Sequence, residues 1–389
     1  MPKKKELNYG LLPRLFGDEK KQSYTIPLFA ILLSVIAGSL VILATGKNPF
    51  KAYLSLLQGA GIIPKASYAG GAGQITDFTS FLDILAPMIF AALAVIIALK
   101  SGLFNIGVSG QMLISGFIAT IIVGYSPLNA IIAKPLVLII GIIVGALTGG
   151  FIGFLKYRFN INEVVSCIML NNIIQFVTSY FINSYFVNPV SRQSEYITKA
   201  SSLTIKGVVV GGAKADFPIA IILSIIAAIF VHRLLSSTTL GYEIKAVGSN
   251  KNAAAYAGIK VGRTLIVTMM ISGALAGLAG VSYYMGYFAS MQPRVISSLG
   301  FDAIATALLA NNHPIGAIFS SILITILSKG SVYMSSRVGV VKEIAGVITS
   351  LILLFSATGA YIRHLINRKI EMAKTERAVE LSEGSGEDE

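Results

Sequence analysis

Polar and apolar positions along this 389-residue chain segregate into long blocks instead of alternating. A hydrocarbon core takes about 20 mostly apolar residues per helix. Runs of that kind cover 25–45, 81–99, 104–124, 135–155, 164–186, 217–235, 264–287, 301–328 and 344–362. The 301–328 run is interrupted by Asn311, Asn312, His313 and Pro314. Proline has no amide hydrogen to donate and clashes with the preceding turn, so this segment is expected to break there. Read as two membrane-entering halves that return to one face, it leaves eight full spans plus a split re-entrant pair. The fold class expected is therefore all-α, a polytopic transmembrane bundle of about ten membrane segments.

The stretches between the blocks define the domains. Residues 1–24 are polar and basic, and the apolar run after them lacks a small-residue cleavage site, which favours an uncleaved first span over a secretory signal. A transmembrane domain is expected over 25–365, with outer loops at 46–80, containing GGAGQ at 70–74, and at 187–216. A loop at 232–264 is expected on the cytoplasmic side. From 366 to 389 the chain is charged, ends in EGSGEDE, and reads as a disordered tail. The split-pair reading places both termini in the cytoplasm and puts the larger share of Lys and Arg there, as the positive-inside rule prefers.

Composition narrows the function classes. With 54% hydrophobic and 13% charged residues the chain belongs in a membrane. The net charge of +13 arises from cations scattered at the ends of apolar segments, not from a basic stripe with aromatics, so it signals topology instead of nucleic acid. One cysteine, Cys167, permits neither an intrachain disulfide nor a thiolate cluster. His232, His313 and His364 lie far apart in sequence, no metal site is expected, and no Walker A pattern occurs. Acidic residues in or beside the spans reduce to Asp83, Asp302, Glu163 and Glu343. That scarcity argues against an ion-coupled carrier, which keeps buried ionisable groups for its task. A membrane enzyme would need a convergent nucleophile, base or metal, and none is visible.

Candidate chemistry lies instead in amides. Asn105 and Gln111 sit in SGLFNIGVSGQMLISG, Asn171, Asn172 and Gln175 in SCIMLNNIIQFV, and Asn311, Asn312 and His313 at the break. Gathered around glycine-weakened helices, these residues would line a path for a neutral, hydroxyl-rich solute. Alternatively each makes a helix-to-helix hydrogen bond, worth about 0.6 kcal/mol on average. In the 232–264 loop, SNKNAAAYAGIK predicts a short helix with Ser249 or Asn250 as N-cap, Gly258 as C-cap and Tyr256 projecting. A pump lacking its own ATPase needs such a rigid element for an external motor to push.

Four ordered stretches, LKSGLFNIGVSGQMLISGFIA (99–119), NINEVVSCIMLNNI (160–173), GYEIKAVGSNKNAAAYAGI (241–259) and FDAIATALLANNHPIGAIFSSIL (301–323), resemble the membrane permease subunits of ABC importers for nucleosides and simple sugars. The resemblance runs from about residue 25 to 362, within the superfamily of ribose and branched-chain amino-acid permeases. It implies a transport subunit of a bacterial cell membrane, not an enzyme, paired with a second and different permease chain. A separate ATPase would carry ATP and Mg, with no cofactor in this chain, and an extracytoplasmic binding protein would deliver substrate. The 241–259 stretch is similar to the family's coupling helix, which implies ATPase contacts at Gly248, Ser249, Asn250, Ala253, Ala254, Ala255 and Gly258. Family members often carry Glu where Ser109 stands and Gly where Ala310 stands. Nucleosides are the substrate class implied first, ribose-like sugars the alternative, with an ion-coupled carrier behind both.

Overall fold

The computed structural model describes residues 19–65, 73–210, 213–358, 365–368, 371–372 and 375. In chain order the helices are α1 (Glu19–Ala44), α2 (Pro49–Gly59), α3 (Gln74–Lys100), α4 (Val108–Ala119), α5 (Ala130–Phe159), α6 (Glu163–Phe181) and α7 (Ile219–Ser237). There follow α8 (Thr239–Ser249), α9 (Lys251–Tyr256), α10 (Val261–Ser282), α11 (Leu299–Leu309), α12 (Pro314–Val338) and α13 (Glu343–Ala357). Helices α4, α6 and α10 each close on a π-helical turn, at Thr120–Gly124, Ile182–Phe186 and Tyr283–Phe288. Among the described residues seven helices are long and apolar enough to cross a membrane, and three apolar stretches, Val108–Gly124, Leu299–Leu309 and Glu343–Ser356, are shorter. The protein is a polytopic helical bundle, as its apolar blocks predict.

Helix α3 is apolar on every side, and a helix of that kind belongs at the centre. Each residue from Asp83 to Ala98 is buried, packed by α7, α10, α11 and α12. Around it, α5 and α10 approach most closely. Gly141, Gly145 and Gly149 recur every fourth residue on α5 and meet Gly273 and Gly277 of α10, so that a Cβ on Gly145 or Gly277 would strike the facing carbonyl. Small residues at that spacing let two backbones touch, the packing available where lipid removes the hydrophobic drive.

Two helices begin in mid-membrane. The N–H of Gly110 donates to Asn171 Oδ1 at 3.0 Å, and Asn171 lies eight residues into α6, so α4 starts about 12 Å below that end of the bundle. The expected span 104–124 is thus a shorter helix with an irregular lead-in at 101–107. Likewise 289–298 descends from the other side to deliver α11, whose Gly300 packs on Ser109. Helix α11 covers about 16 Å and α12 about 37 Å, so where two membrane-entering halves were expected over 301–328, one half-helix is followed by a full crossing that runs on to Val338. Asn311 and Asn312, at φ 52° and 55°, make the turn between them. Pro314 occupies the first helical position, where its missing N–H costs nothing.

Opposite ends of α3 fix the two faces. Lys100 abuts Gly248 of α8, while Lys329 of α12 donates to Ser80 at 2.7 Å at the far end. The face carrying α8 and α9 is the arm face. Gln22 Nε2 donates to Asn367 Oδ1 at 3.3 Å, so the start of α1 and the residues after α13 share one face. Ile366 is buried and 365–368 are helical, so the stretch read as a disordered tail begins as packed helix. Beyond 368 only 371–372 and 375 of it are described, all helical; the rest, like the segment 1–18 and most of GGAGQ, lies outside the described residues. On the face opposite the arm, β1 (Thr204–Val210) and β2 (Ala213–Pro218) pair antiparallel, Thr204 against Pro218 and Val209 against Lys214, with an irregularity between Ile205 and Val208.

Candidate functional site

The amides singled out in the sequence separate into three places. Asn105, Gln111 and Asn171 are buried, the first two bonded to each other and the third to the backbone between them. Asn105 Nδ2 donates to Gln111 Oε1 at 3.0 Å and to Ser272 Oγ at 2.8 Å, and its Oδ1 accepts the Gly107 N–H at 2.9 Å. Asn171 Nδ2 donates to Ile106 O at 3.1 Å, and Ser272 in turn donates to Ala94 O at 2.6 Å. Backbone freed by the irregular lead-in is satisfied by these side chains, as irregular structure at membrane depth requires. The trio therefore clamps 101–107 and α4 onto α3, α6 and α10, and turns no polar atom toward open space. As lining for a path the three do not fit this geometry, because their hydrogen-bonding capacity is spent inside the subunit.

Asn172 stands 100° around α6 from Asn171, and Gln175, one turn beyond Asn171, lies half-buried between the two directions. Asn172 is exposed and bonds only Ile168 O of its own helix, at 2.9 Å. Gln175 Nε2 donates to Arg294 O at 2.6 Å, and Ser179 Oγ accepts the Arg294 N–H at 2.6 Å, which pins the descending segment 289–298 against α6. Phe176 and Tyr180 are exposed beside them. Ser109 Oγ donates to Ser297 O at 2.9 Å, tying the start of α4 to the start of α11. The two half-helices then run in opposite directions from a common mid-membrane point, with their positive N-terminal ends adjacent, the arrangement by which discontinuous helices frame a translocation site.

A cavity of about 480 Å³ opens beside this point, lined by Met88, Tyr283, Tyr287, Ser297, Asp302 and Lys329 among others. The rings of Tyr283 and Phe288 lie edge to face at 5.0 Å, and Lys329 Nζ sits 5.4 Å from the Tyr287 ring centre. Aromatic walls with a few convergent polar groups suit a ring-bearing solute. Sequence reasoning named Asp302 but missed the tyrosines. The run YYMGYF, polar aromatics closing an apolar span, is the signal that marks them.

Asn311, Asn312 and His313 lie at neither place. They form the turn on the arm face, where the His313 ring centre stands 5.2 Å from that of His232, far apart though the two are in sequence. His313 Nδ1 caps α12 by accepting the Gly316 N–H at 3.3 Å. Burial, then the neighbouring basic groups His232 and Lys100, push its imidazole below the ordinary value.

The arm is built as its capping pattern predicts. Asn250, not Ser249, is the N-cap, its Oδ1 accepting the N–H groups of Asn252 at 3.0 Å and Ala253 at 3.1 Å. Gly258 follows the helix at φ 83°. Ser249, Asn250, Ala253, Ala255 and Gly258 are exposed and Tyr256 stands 94% exposed, whereas Ala254 packs inward and Gly248 lies in backbone contact with Lys100. Gly248, near the end of α8, thus joins the arm to the start of the lead-in 101–107.

Residues 78–357 match the family described as branched-chain amino acid transport system / permease component. This chain belongs to that permease family. The permease is 33% identical over 378 residues to the nucleoside ABC transporter permease protein NupB of Lactococcus lactis, covering 95% of this chain and 99% of that one. It is 34% identical over 346 residues to the guanosine ABC transporter permease protein NupP of Bacillus subtilis, covering 88% and 95%. A glucose ABC transporter permease protein of Haloferax volcanii, TsgB13, is 26% identical over 348 residues, covering 88% and 89%. The permease is thus a membrane transport subunit similar to ABC permeases.

Proposed function

We propose that this permease forms half of the translocation path of an ATP-driven nucleoside importer. Its partner across the path is a second, different permease chain; a separate subunit binds and hydrolyses ATP with Mg; an extracytoplasmic protein delivers the nucleoside. The arm face is cytoplasmic and both termini lie there, with a transmembrane domain over 25–365. The observation that carries the motor-driven reading is the exposed, capped arm in backbone contact with the lead-in to α4, in a chain with no Walker A pattern of its own. Nucleoside rather than sugar is favoured by the near full-length similarity to NupB and NupP.

In this reading Asn172 and Gln175 meet the solute, with Phe176 and Tyr180 offering ring faces to a base. Ser249, Asn250, Ala253, Ala255 and Gly258 meet the ATPase, while Gly248 and Ala254 root the arm. Asn311, Asn312 and His313 shape the arm-face turn. ATP-driven closure of the ATPase displaces α9, the Gly248–Lys100 contact passes that displacement to 101–107, and the Asn105 clamp transmits it to the meeting point of α4 and α11. Asn105, Gln111 and Asn171 then act on the path as transmitters.

The test is uptake of radiolabelled uridine, guanosine and ribose into cells expressing the chain with its genomic neighbours, with and without a catalytic mutation in the neighbouring ATPase. ATPase-dependent nucleoside accumulation is expected. Ribose alone would transfer the proposal to the sugar class, which the similarity to TsgB13 keeps as the second reading. Accumulation indifferent to the ATPase mutation would overturn the motor-driven mechanism in favour of an ion-coupled carrier.

A further inference from the structure

On the arm face a crevice of about 710 Å³ opens between α1 and α12. Its walls are apolar, from Leu28 and Ile31 on α1 to Phe319 and Leu323 on α12, and Leu28 and Phe319 remain 66% and 71% exposed. Both helices are candidate spans, so the open side of the crevice faces lipid. At its arm-face end stand Lys100 and His313, with His232 behind. Among the described residues, Lys100 makes no side-chain hydrogen bond or ion pair, and the charged neighbours acting on it and on His313 are Lys245, His232 and Lys100 itself, all basic. An end that is basic and, among the described residues, carries no carboxylate, joined to an apolar trough open to the bilayer, is complementary to one kind of molecule: an anionic head on acyl chains.

We infer that this crevice binds an anionic phospholipid of the arm-side leaflet, with its phosphate at Lys100 and His313 and an acyl chain along Leu28, Ile31 and Phe319. Basic pockets between spans on the cytoplasmic side take such head groups. The site is separate from the solute path: it lies on the outer flank of α1 and α12, whereas Asn172 and Gln175 line α6. It rests on the chain's membrane-spanning fold and not on which solute is carried, so its failure and that of the nucleoside reading are distinguishable.

The sequence contains no tryptophan, so Phe319→Trp introduces a single indole at the crevice. The full chain carrying this substitution is reconstituted in phosphatidylcholine vesicles containing increasing fractions of bromine-labelled phosphatidylglycerol or bromine-labelled phosphatidylcholine. Phosphatidylglycerol should quench at a mole fraction about fivefold lower, the Lys100 ammonium supplying the charge. Adding Lys100→Gln should erase most of that preference while the unquenched emission stays unchanged. Phe151→Trp, on the lipid-facing side of α5, should be quenched equally by both lipids. Equal quenching at Phe319→Trp, the same preference at Phe151→Trp, or relief of quenching by excess inorganic phosphate would each overturn the assignment.

Discussion

The clamp around Asn105 makes an ordered prediction. Asn105→Ala strands the buried Gly107 N–H and both polar atoms of the Gln111 side chain, and leaves Ser272 without its donor. A stranded buried group costs about 1–3 kcal/mol in soluble proteins, and side-chain bonds inside membranes average about 0.6 kcal/mol, so a loss of about 2–4 kcal/mol is expected. Gln111→Leu preserves volume and strands only one Asn105 N–H, since Asn105 keeps Ser272 and Gly107; about 1 kcal/mol follows. The double variant should cost less than the sum, because the leucine removes the groups that Asn105→Ala stranded. Unfolding of the purified chain in mixed micelles of rising dodecyl sulfate content measures all three, alongside membrane levels and uptake. Equal costs for the two single variants, or strict additivity, would refute the clamp. Loss of uptake by Gln111→Leu at normal stability would return Gln111 to the solute path.

Gly277→Leu should prevent accumulation of folded protein, because its side chain would strike the Gly141 carbonyl, whereas Gly346→Ala on α13, with nothing near, should leave the size-exclusion profile unchanged. Asn172→Leu loses one bond within its own helix, so its melting temperature should hold while nucleoside uptake falls at least several-fold; unchanged uptake would remove Asn172 from the path. Asn250→Ala removes the cap of α9, about 1 kcal/mol locally, and should reduce co-purification of the ATPase more than it lowers the melting temperature. His313 has a native pKa below the ordinary value of about 6.5, so the native state binds fewer protons than the unfolded chain and stability should fall as pH drops through about 6.5 toward the depressed value. His313→Asn retains an acceptor at the cap without titrating, and should flatten that acid-side decline in a melting-temperature series; an unchanged decline would show that His313 is not its cause.

The membrane segments were legible because lipid enforces them: a run of apolar residues has no other stable use, and Pro314 can only start a helix after the Asn311–Asn312 turn. The arm was legible from local chemistry, an Asn at the cap and a Gly beyond the end. Depth was not legible. The segment ASMQPRVISS (289–298) is polar enough to pass for an exterior loop, yet it sinks into the bundle because Gln175, Ser179 and Ser109 supply its backbone with partners. Nor can an amide's role be read from its type. Asn105 is satisfied by Ser272, 167 residues away, while Asn172, adjacent to the buried Asn171, faces outward because one residue is 100° of helix. The strand pair 204–218 also escaped notice, although Gly211-Gly212 directly after the β-branched run Val208–Val210 is a hairpin signal.

The glycine ladder between α5 and α10 has a mechanical consequence. Helix α10 leaves directly from the arm through Gly258, and its backbone touches that of α5, so there is no side-chain layer in which one could slide past the other. Whatever tilts α10 tilts α5 with it. Most of α5 faces lipid, with Ile139, Ile143 and Leu147 at least half exposed, so each such tilt also displaces acyl chains. Under the proposed ATP-driven mechanism the bilayer is a spring in series with hydrolysis, and turnover should vary with membrane thickness and acyl order even when substrate and nucleotide are saturating.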